Sequence, residues 1–237
     1  MSSALARGVD SELVDLAVTS LRELNSALHA VGDAGPRRWR VVNPRGAHAV
    51  AAGIDAQIEV EIDGHVGYYA AGMNKLATVR VHGNCGTGVA ENMMSGTVVV
   101  DGNASQSAGA SGRGGLLSIR GDAAARCGIS MKGIDIVVRG SIGHMAAFMA
   151  QKGCLVVCGD AGGALGDSIY EARLYVRGAV ESLGADCVEK EMRAEHSGQL
   201  AGLLERAGVD GCDPSEFRRY GSARRLYNFQ PDNAGAY

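Results

Sequence analysis

The sequence lacks an excess of charge of either sign: 23 basic and 26 acidic residues among 237 leave a net charge of −3. That balance offers no field for a nucleic acid or an anionic membrane. Long hydrophobic runs are missing as well, since none approaches the roughly 18 residues a membrane span requires. The opening MSSALARGVD does not follow a charged segment with an apolar one, as a secretion signal would. These absences lead to the expectation of a cytoplasmic protein, with enough chain to bury a core of its own. Chemistry is sparse too. There is no H-E-x-x-H, no P-loop pattern, no full G-x-G-x-x-G and no recognisable setting for a Ser or Cys nucleophile. Six cysteines without a secretion signal do not make a disulfide framework. Cys154 and Cys158 resemble a C-x3-C pair, but about 13 Å of extended strand separates them, too far for one disulfide or one zinc. Cys85, Cys127, Cys187 and Cys212 show no common placement that would converge thiolates on a metal or an iron–sulfur cluster. Aromatic residues supply only 5% of the chain, whereas glycine supplies 35 residues, which points to something repetitive and tightly turned.

The glycines are periodic. Gly64, Gly83, Gly102, Gly121, Gly140, Gly159 and Gly178 are each 19 residues apart. Four and two residues before them stand Val60 and Ile62, Val79 and Val81, Val98 and Val100, Leu117 and Ile119, Ile136 and Val138, Leu155 and Val157, Leu174 and Val176. Every one is aliphatic, the alternation of a strand with one buried face, and the glycine after it predicts a turn that uses positive φ. Seven residues after each glycine come Ala71, Ala90, Gly109, Gly128, Ala147, Gly166 and Ala185, which predicts a corner without room for a side chain. One strand per fixed period describes a coil whose turns bury their apolar face against their neighbours. The fold class is therefore mainly β: a single-stranded parallel β-helix of about seven 19-residue rungs, right-handed by the bias of parallel crossovers. At about 4.8 Å per rung the column is roughly 30 Å tall. The glycine cluster GDAGGALG falls on these repeat positions and reads as turns rather than as a phosphate cradle.

The flanks differ from the coil. Leu13, Ala17, Leu21, Leu24 and Leu28 fall at helical spacing, predicting one amphipathic helix over residues 10–30 with Asp10 or Ser11 as N-cap. Residues 195–207 predict a short helix stopped by Gly208, followed by an Asp213, Pro214, Glu216 capping signature. The closing segment is aromatic, with Phe217, Tyr220, Tyr227, Phe229 and Tyr237, and either clasps its own coil or docks on another subunit. The chain divides accordingly into 1–40 (helix and connector), 41–190 (β-helix) and 191–237 (helical and aromatic tail).

No catalytic or metal-ligating residue is nominated. His65 and His144 stand four rungs apart, about 19 Å, and cannot form a catalytic pair. Three residues before the repeat glycines lie Glu61, Arg80, Val99, Ser118, Val137, Val156 and Tyr175, an outward position that turns apolar in the later rungs. The candidate partner or tunnel contacts are Val99, Val137, Val156 and Tyr175 from this stripe, with Glu91, Asn92, Gln106 and His144, whose polar groups interrupt small or apolar positions.

The rungs, with the lead-in VVNPRGAHAVAAGID, resemble the C-terminal β-helix, or GXGXG, domain of the glutamate synthase large subunit, and more distantly the C subunit of formylmethanofuran dehydrogenase. The segments GHVGYYAAGMN, GVAENMMSG, ASQSAGA, RCGISMKG, GHMAAFMAQ, GDAGGALGDSIYEA and YGSARRLYNF are similar to the stand-alone B subunit of N-methylglutamate synthase. That resemblance implies a structural subunit bridging a class II amidotransferase-like subunit and a subunit carrying FMN and an iron–sulfur cluster, with no cofactor in this chain. The implied reaction is methylamine + L-glutamate → N-methyl-L-glutamate + ammonia. Alternatives are a glutamine-dependent glutamate synthase relative with another acceptor, and an independent β-helix binding module or enzyme. The last would need a catalytic carboxylate pair, and the row before the glycines (Asp63, His82, Asp101, Arg120, Arg139, Cys158, Arg177) is mixed.

Overall fold

The structure, a computed structural model, describes residues 11–32, 35 and 37–225. In chain order the elements are β1 (Ser11–Asp15), α1 (Leu21–His29), β2 (Arg38–Val42), β3 (Glu59–Asp63), β4 (Thr78–Val81), β5 (Thr97–Val100), β6 (Leu116–Ile119), β7 (Asp135–Val138), β8 (Cys154–Val157), β9 (Arg173–Val176), β10 (Cys187–Lys190), α2 (Ala194–Arg206) and β11 (Arg218–Ser222). All eleven strands join one sheet in the order β1 to β9, then β11, then β10. From β1 to β9 the pairing is parallel, and β11 inserts antiparallel between β9 and β10. Strands β3 to β9 supply seven stacked turns of a β-solenoid, in register Val60, Val79, Val98, Leu117, Ile136, Leu155, Leu174. These columns and their partners two residues on are at most 1% exposed, so the coil axis is filled with aliphatic side chains.

The repeat glycines are needed for a reason other than the expected one. Only Gly64 among the seven has positive φ. The others lie directly over the rung below: the Gly102 N–H donates to the Gly83 carbonyl at 3.0 Å, and the same bond recurs from Gly121 to Gly102, Gly140 to Gly121, Gly159 to Gly140 and Gly178 to Gly159. A Cβ on Gly121 would lie 2.8 Å from the Gly102 carbonyl oxygen and closer still to Asn103 Oδ1.

That asparagine belongs to a ladder the sequence reading missed. The residue after each glycine accepts from the main chain one rung up: Asn84 N–H to His65 Nδ1 (2.9 Å), Asn103 N–H to Asn84 Oδ1 (2.8 Å), Asp122 N–H to Asn103 Oδ1 (2.8 Å), Ser141 N–H to Asp122 Oδ1 (2.7 Å), Asp160 N–H to Ser141 Oγ (3.0 Å) and Ala179 N–H to Asp160 Oδ1 (2.7 Å). The series ends at Ala179, on the last rung, whose methyl side chain cannot accept a hydrogen bond.

The small-residue corner is where positive φ does occur. Tyr69, Ala71 and Met73 have φ of 61°, 51° and 55°, and Met145, Ala147 and Met149 repeat the pattern at 56°, 55° and 51°. A left-handed residue with a Cβ costs about 1 kcal/mol. Here alternate amides are thrown up and down the stack: Tyr69 donates to Thr87 (2.8 Å), Ala71 back to Val50 (2.9 Å) and Met73 to Glu91 (2.8 Å). Each bond returns about 1 kcal/mol, so the strained corner holds while it stays stacked.

The N-terminal helix is shorter than expected. Residues Ser11–Asp15 form β1 against β2, and α1 begins only after Ser20. The reason is a capping box: Ser20 Oγ accepts from the Glu23 N–H (3.2 Å) while Glu23 Oε2 accepts from the Ser20 N–H (2.8 Å). Leu24 and Leu28 are buried, whereas Leu13 stays 65% exposed. Helix α1 closes the open end of the coil, where no earlier rung exists. Asn25 accepts from the Ala51 N–H (3.0 Å) and donates to the Ala49 carbonyl (2.9 Å), standing in for that missing rung. At the other flank α2 spans 194–206, and Gly208 with φ +65° ends it as expected. Asp213 caps a single 3-10 turn, Pro214–Glu216, but Glu216 pairs with Arg177 (3.6 Å) rather than completing a capping box.

Replacing Gly121 by Ala should lower the melting midpoint, by the equivalent of about 1–3 kcal/mol of overpacking. Gly198→Ala on the exposed face of α2, where nothing lies within 4 Å of an added Cβ, should raise stability by about 0.5–1 kcal/mol. Parallel urea and thermal unfolding of both variants checks the contrast, and equal effects would contradict the stacking account.

Candidate functional site

The outward stripe nominated from sequence splits into two halves. In β6 to β9 it is covered by the chain itself. Ser118 is 1% exposed, and Val137, Val156 and Tyr175 are 0% exposed, packed with Leu116 and Cys154 beneath Leu200, Leu203, Leu204, Ala207, Val209 and Phe217. Helix α2 lies across the four strands. Tyr175 donates to Gln199 Oε1 (2.9 Å) midway along it, and Ser118 Oγ donates to the carbonyl of its C-cap, Ala207 (3.1 Å). From Gln199 to Ala207 the helix rises about 12 Å, close to the ~14 Å that three strand spacings put between β6 and β9. Val137, Val156 and Tyr175 are therefore internal packing residues and not free partner contacts. Their apolar character is explained by α2, whose own apolar face needs that cover.

The tail behaves likewise. Phe217 and Tyr220 are 4% and 2% exposed, and β11 completes the sheet beside β9. Tyr227, Phe229 and Tyr237 lie outside the described residues. Cys154 and Cys158 also sit under this cover, each 2% exposed. Burial pushes their thiols, and those of Cys85, Cys127 and Cys187, up to about 12, which makes them poor nucleophiles and poor metal ligands at neutral pH. Among the described residues no three His, Cys, Asp or Glu side chains converge on a common point, so this donor set does not fit an iron–sulfur cluster.

The uncovered half, β2 to β5, is ionic. Arg38 pairs with Glu59 (2.9 Å) and Arg40 with Asp63 (2.7 Å). Asp101 is the hub beyond them. Arg80 grips it through two nitrogens (3.0 and 3.1 Å), His82 Nδ1 lies at 2.8 Å and Arg120 at 3.3 Å, while His82 Nε2 reaches Glu61 at 3.0 Å. Three residues of the row before the glycines (His82, Asp101 and Arg120) and two of the outward stripe (Glu61 and Arg80) thus become one network beside a half-buried Val99. Burial alone would raise the Asp101 pKa, but the Arg80 and His82 hydrogen bonds more than offset it and hold the carboxyl low. Burial would lower the His82 pKa, yet hydrogen bonds to Glu61 and Asp101 win and raise it. The arrangement orients charges on a rigid sheet and presents a patterned surface.

The other nominated residues occupy separate places. Glu91 and Asn92 are at the left-handed corner, where Asn92 has φ 57° and lies 3.5 Å from the Tyr69 hydroxyl. Gln106 and His144 are exposed on a different column, their carbonyls accepting from Gly88 (2.9 Å) and Arg126 (2.9 Å). The structure does not gather these four with Val99. The Asp101 hub was legible only as a mixed row, since Glu61 and Arg80 reach it from the neighbouring column.

Fold and surface define a class: a capped parallel β-solenoid, one half of whose outer sheet is sealed by its own helix and the other presented as an ordered ionic face. No protein-family model matches the chain. Protein GlxC of Rhizobium meliloti (strain 1021) is 65% identical to it over 226 residues, covering 95% of this chain and 99% of that protein. The chain belongs to the GlxC family. No helix among the described residues is long and apolar enough to cross a membrane.

A raised His82 pKa means that the native state binds more protons than the unfolded chain. Its stabilisation is complete below the unfolded value of about 6.5 and is lost as pH rises through the higher folded value. The melting temperature of the wild type minus that of His82→Asn should therefore shrink between pH 6 and pH 9. A difference independent of pH would contradict the pairing.

Proposed function

We propose that this chain is a structural subunit of a split, glutamate-synthase-like enzyme, with the chemistry carried on its partners. The observation that carries the reading is the stack itself. The same rung segments that resemble the GXGXG domain of glutamate synthase build a filled, capped coil in which Gly102 to Gly178 are locked rung to rung. A filled axis leaves the outer surface as the place where the protein acts, and the ionic face of β2 to β5 is the half that α2 leaves open. The finer reading is an N-methylglutamate synthase acting on methylamine and L-glutamate. In it the coil holds an amidotransferase-like subunit and an FMN and iron–sulfur subunit at a fixed separation. Those groups reside on the partner, and no step is assigned to residues of this chain.

Deleting residues from 213 onward removes β11, Phe217 and Tyr220 from the chain's own core and would confuse assembly with folding. Point changes separate the two. Co-produced with amidotransferase-like and flavin/iron–sulfur subunits of its host, the wild type should co-elute with both and support methylamine-dependent N-methylglutamate formation. Val99→Glu combined with Arg120→Gln should weaken assembly at least tenfold with the circular dichroism spectrum unchanged. Val156→Ala, under α2, should cost about 2 kcal/mol of stability and leave the assembly affinity alone. Assembly indifferent to the Val99 and Arg120 changes would remove this face as the docking site. Turnover by the isolated chain would remove the structural-subunit reading.

A further inference from the structure

Beyond the ionic face, the far end of the coil holds a cavity of about 320 Å³ between β9, β10, β11 and the start of α2. Its wall carries Arg173 from β9, Arg219 from β11, Lys190 from β10, and Arg193 and His196 at the start of α2. Arg224 also lines it and pairs at 3.5 Å with Glu171, the one carboxylate among the lining residues. Five cations thus face one acid. Arg193 is held by Glu191 (3.0 Å), Arg219 donates to the Glu191 carbonyl (2.9 Å) and Arg173 donates to Gln199 Oε1 (2.8 Å). Glu191 balances Arg193 and Glu171 balances Arg224, which leaves the charges of Arg173, Arg219 and Lys190 in excess at the cavity wall.

A glycine lines the cavity. Gly221 on β11 pairs with Val188 of β10, two rows from the Arg219 and Lys190 pair and therefore on the same face of the sheet. It gives the cavity a floor with no side chain to occupy it. A Cβ there would meet only the Ala172 carbonyl oxygen at 3.7 Å and Lys190 Cγ at 3.9 Å, so neither sterics nor positive φ demands glycine at this position. His196 is 4% exposed, its Nδ1 accepting from the Arg193 N–H (3.1 Å), and both residues of this first turn, at the positive end of the α2 dipole, line the cavity. Crowding leaves its mark on the cations: burial and the charges of Arg173 and Arg193 lower the Arg219 pKa despite the opposing pull of Tyr175. Like charges held together beside a helix N-terminus, around an open floor, are relieved by a bound anion.

We infer that this glycine-floored cavity is a binding site for a small oxyanion, a carboxylate or a phosphate, held by Arg173, Arg219, Lys190 and the start of α2. The volume sits at the lower end of small-molecule sites, about 300–1,000 Å³, which suits a compact metabolite rather than a nucleotide. The inference is independent of the docking face, which lies at the opposite end of the sheet.

The test is calorimetric titration of the full chain, in chloride buffer of low ionic strength, with sodium phosphate and separately with disodium glutarate. At least one probe should bind saturably with one site per chain, and which one binds identifies the oxyanion class. Arg219→Gln should weaken that binding tenfold or more. Gly221→Leu should abolish it, with the circular dichroism spectrum unchanged. If Gly221→Leu disturbs the fold, Arg173→Gln takes its place with the same expected tenfold loss. Absence of saturable binding of either probe below about 10 mM, or binding by the variants equal to wild type, would overturn the site.

Discussion

The structure depends on the approach of one glycine to the next. From Gly102 to Gly178 each repeat glycine donates its N–H to the carbonyl of the glycine below at about 3.0 Å, leaving no volume for a Cβ. That single contact sets the rung spacing. It also brings the following residue over the main chain above, where the His65, Asn84, Asn103, Asp122, Ser141 and Asp160 side chains satisfy amides that a sharp turn would otherwise strand. The left-handed corner then closes the circuit by sending alternate amides up and down. Removing any one of these devices loosens the other two, because each assumes the register that the others enforce.

Much of this was legible in the sequence, though not always for the right reason. Strict 19-residue spacing exposed seven rungs because a side chain facing the axis must be aliphatic in every turn. The additional strand β2 escaped notice because Trp39 pairs with Val60 at an offset of 21, outside the period. The spacing of Leu13 and Ala17 from Leu21, Leu24 and Leu28 fits a helix from residue 10, yet Ser11–Asp15 is strand, and only the Ser20 and Glu23 box fixes where α1 starts. Positive φ was assigned to the repeat glycines when it belongs to the corner five to nine residues later. The acceptor after each glycine was readable too, but its chemistry varies between amide, carboxylate, hydroxyl and imidazole, so residue identity hid a constant function.

The outer surface was harder to read, because a stripe of apolar residues does not say what covers it. Val137, Val156 and Tyr175 find their cover in α2, more than twenty residues further along the chain, and the register of that cover depends on the tertiary contacts of Gln199 and Ala207. The basic cavity was out of reach for the same reason, since Arg173, Lys190, Arg193 and Arg219 come from four separate segments joined by an antiparallel strand. What sequence and structure share is a division of labour: a rigid repeated interior, two caps, and a surface whose chemistry lies in ion pairs rather than in activated nucleophiles. Protein GlxC, 65% identical over nearly its whole length, shares the sequence that builds this arrangement.

The central claim is that the protein works as one member of an assembly whose chemistry lies elsewhere. The most direct measurement is to isolate the tagged chain from its native host under mild conditions, identify the accompanying polypeptides by mass spectrometry and record the visible spectrum. The account predicts amidotransferase-like and flavin/iron–sulfur polypeptides in fixed ratio with a yellow-brown absorbance. A colourless protein recovered alone, yet turning over a substrate, would contradict it.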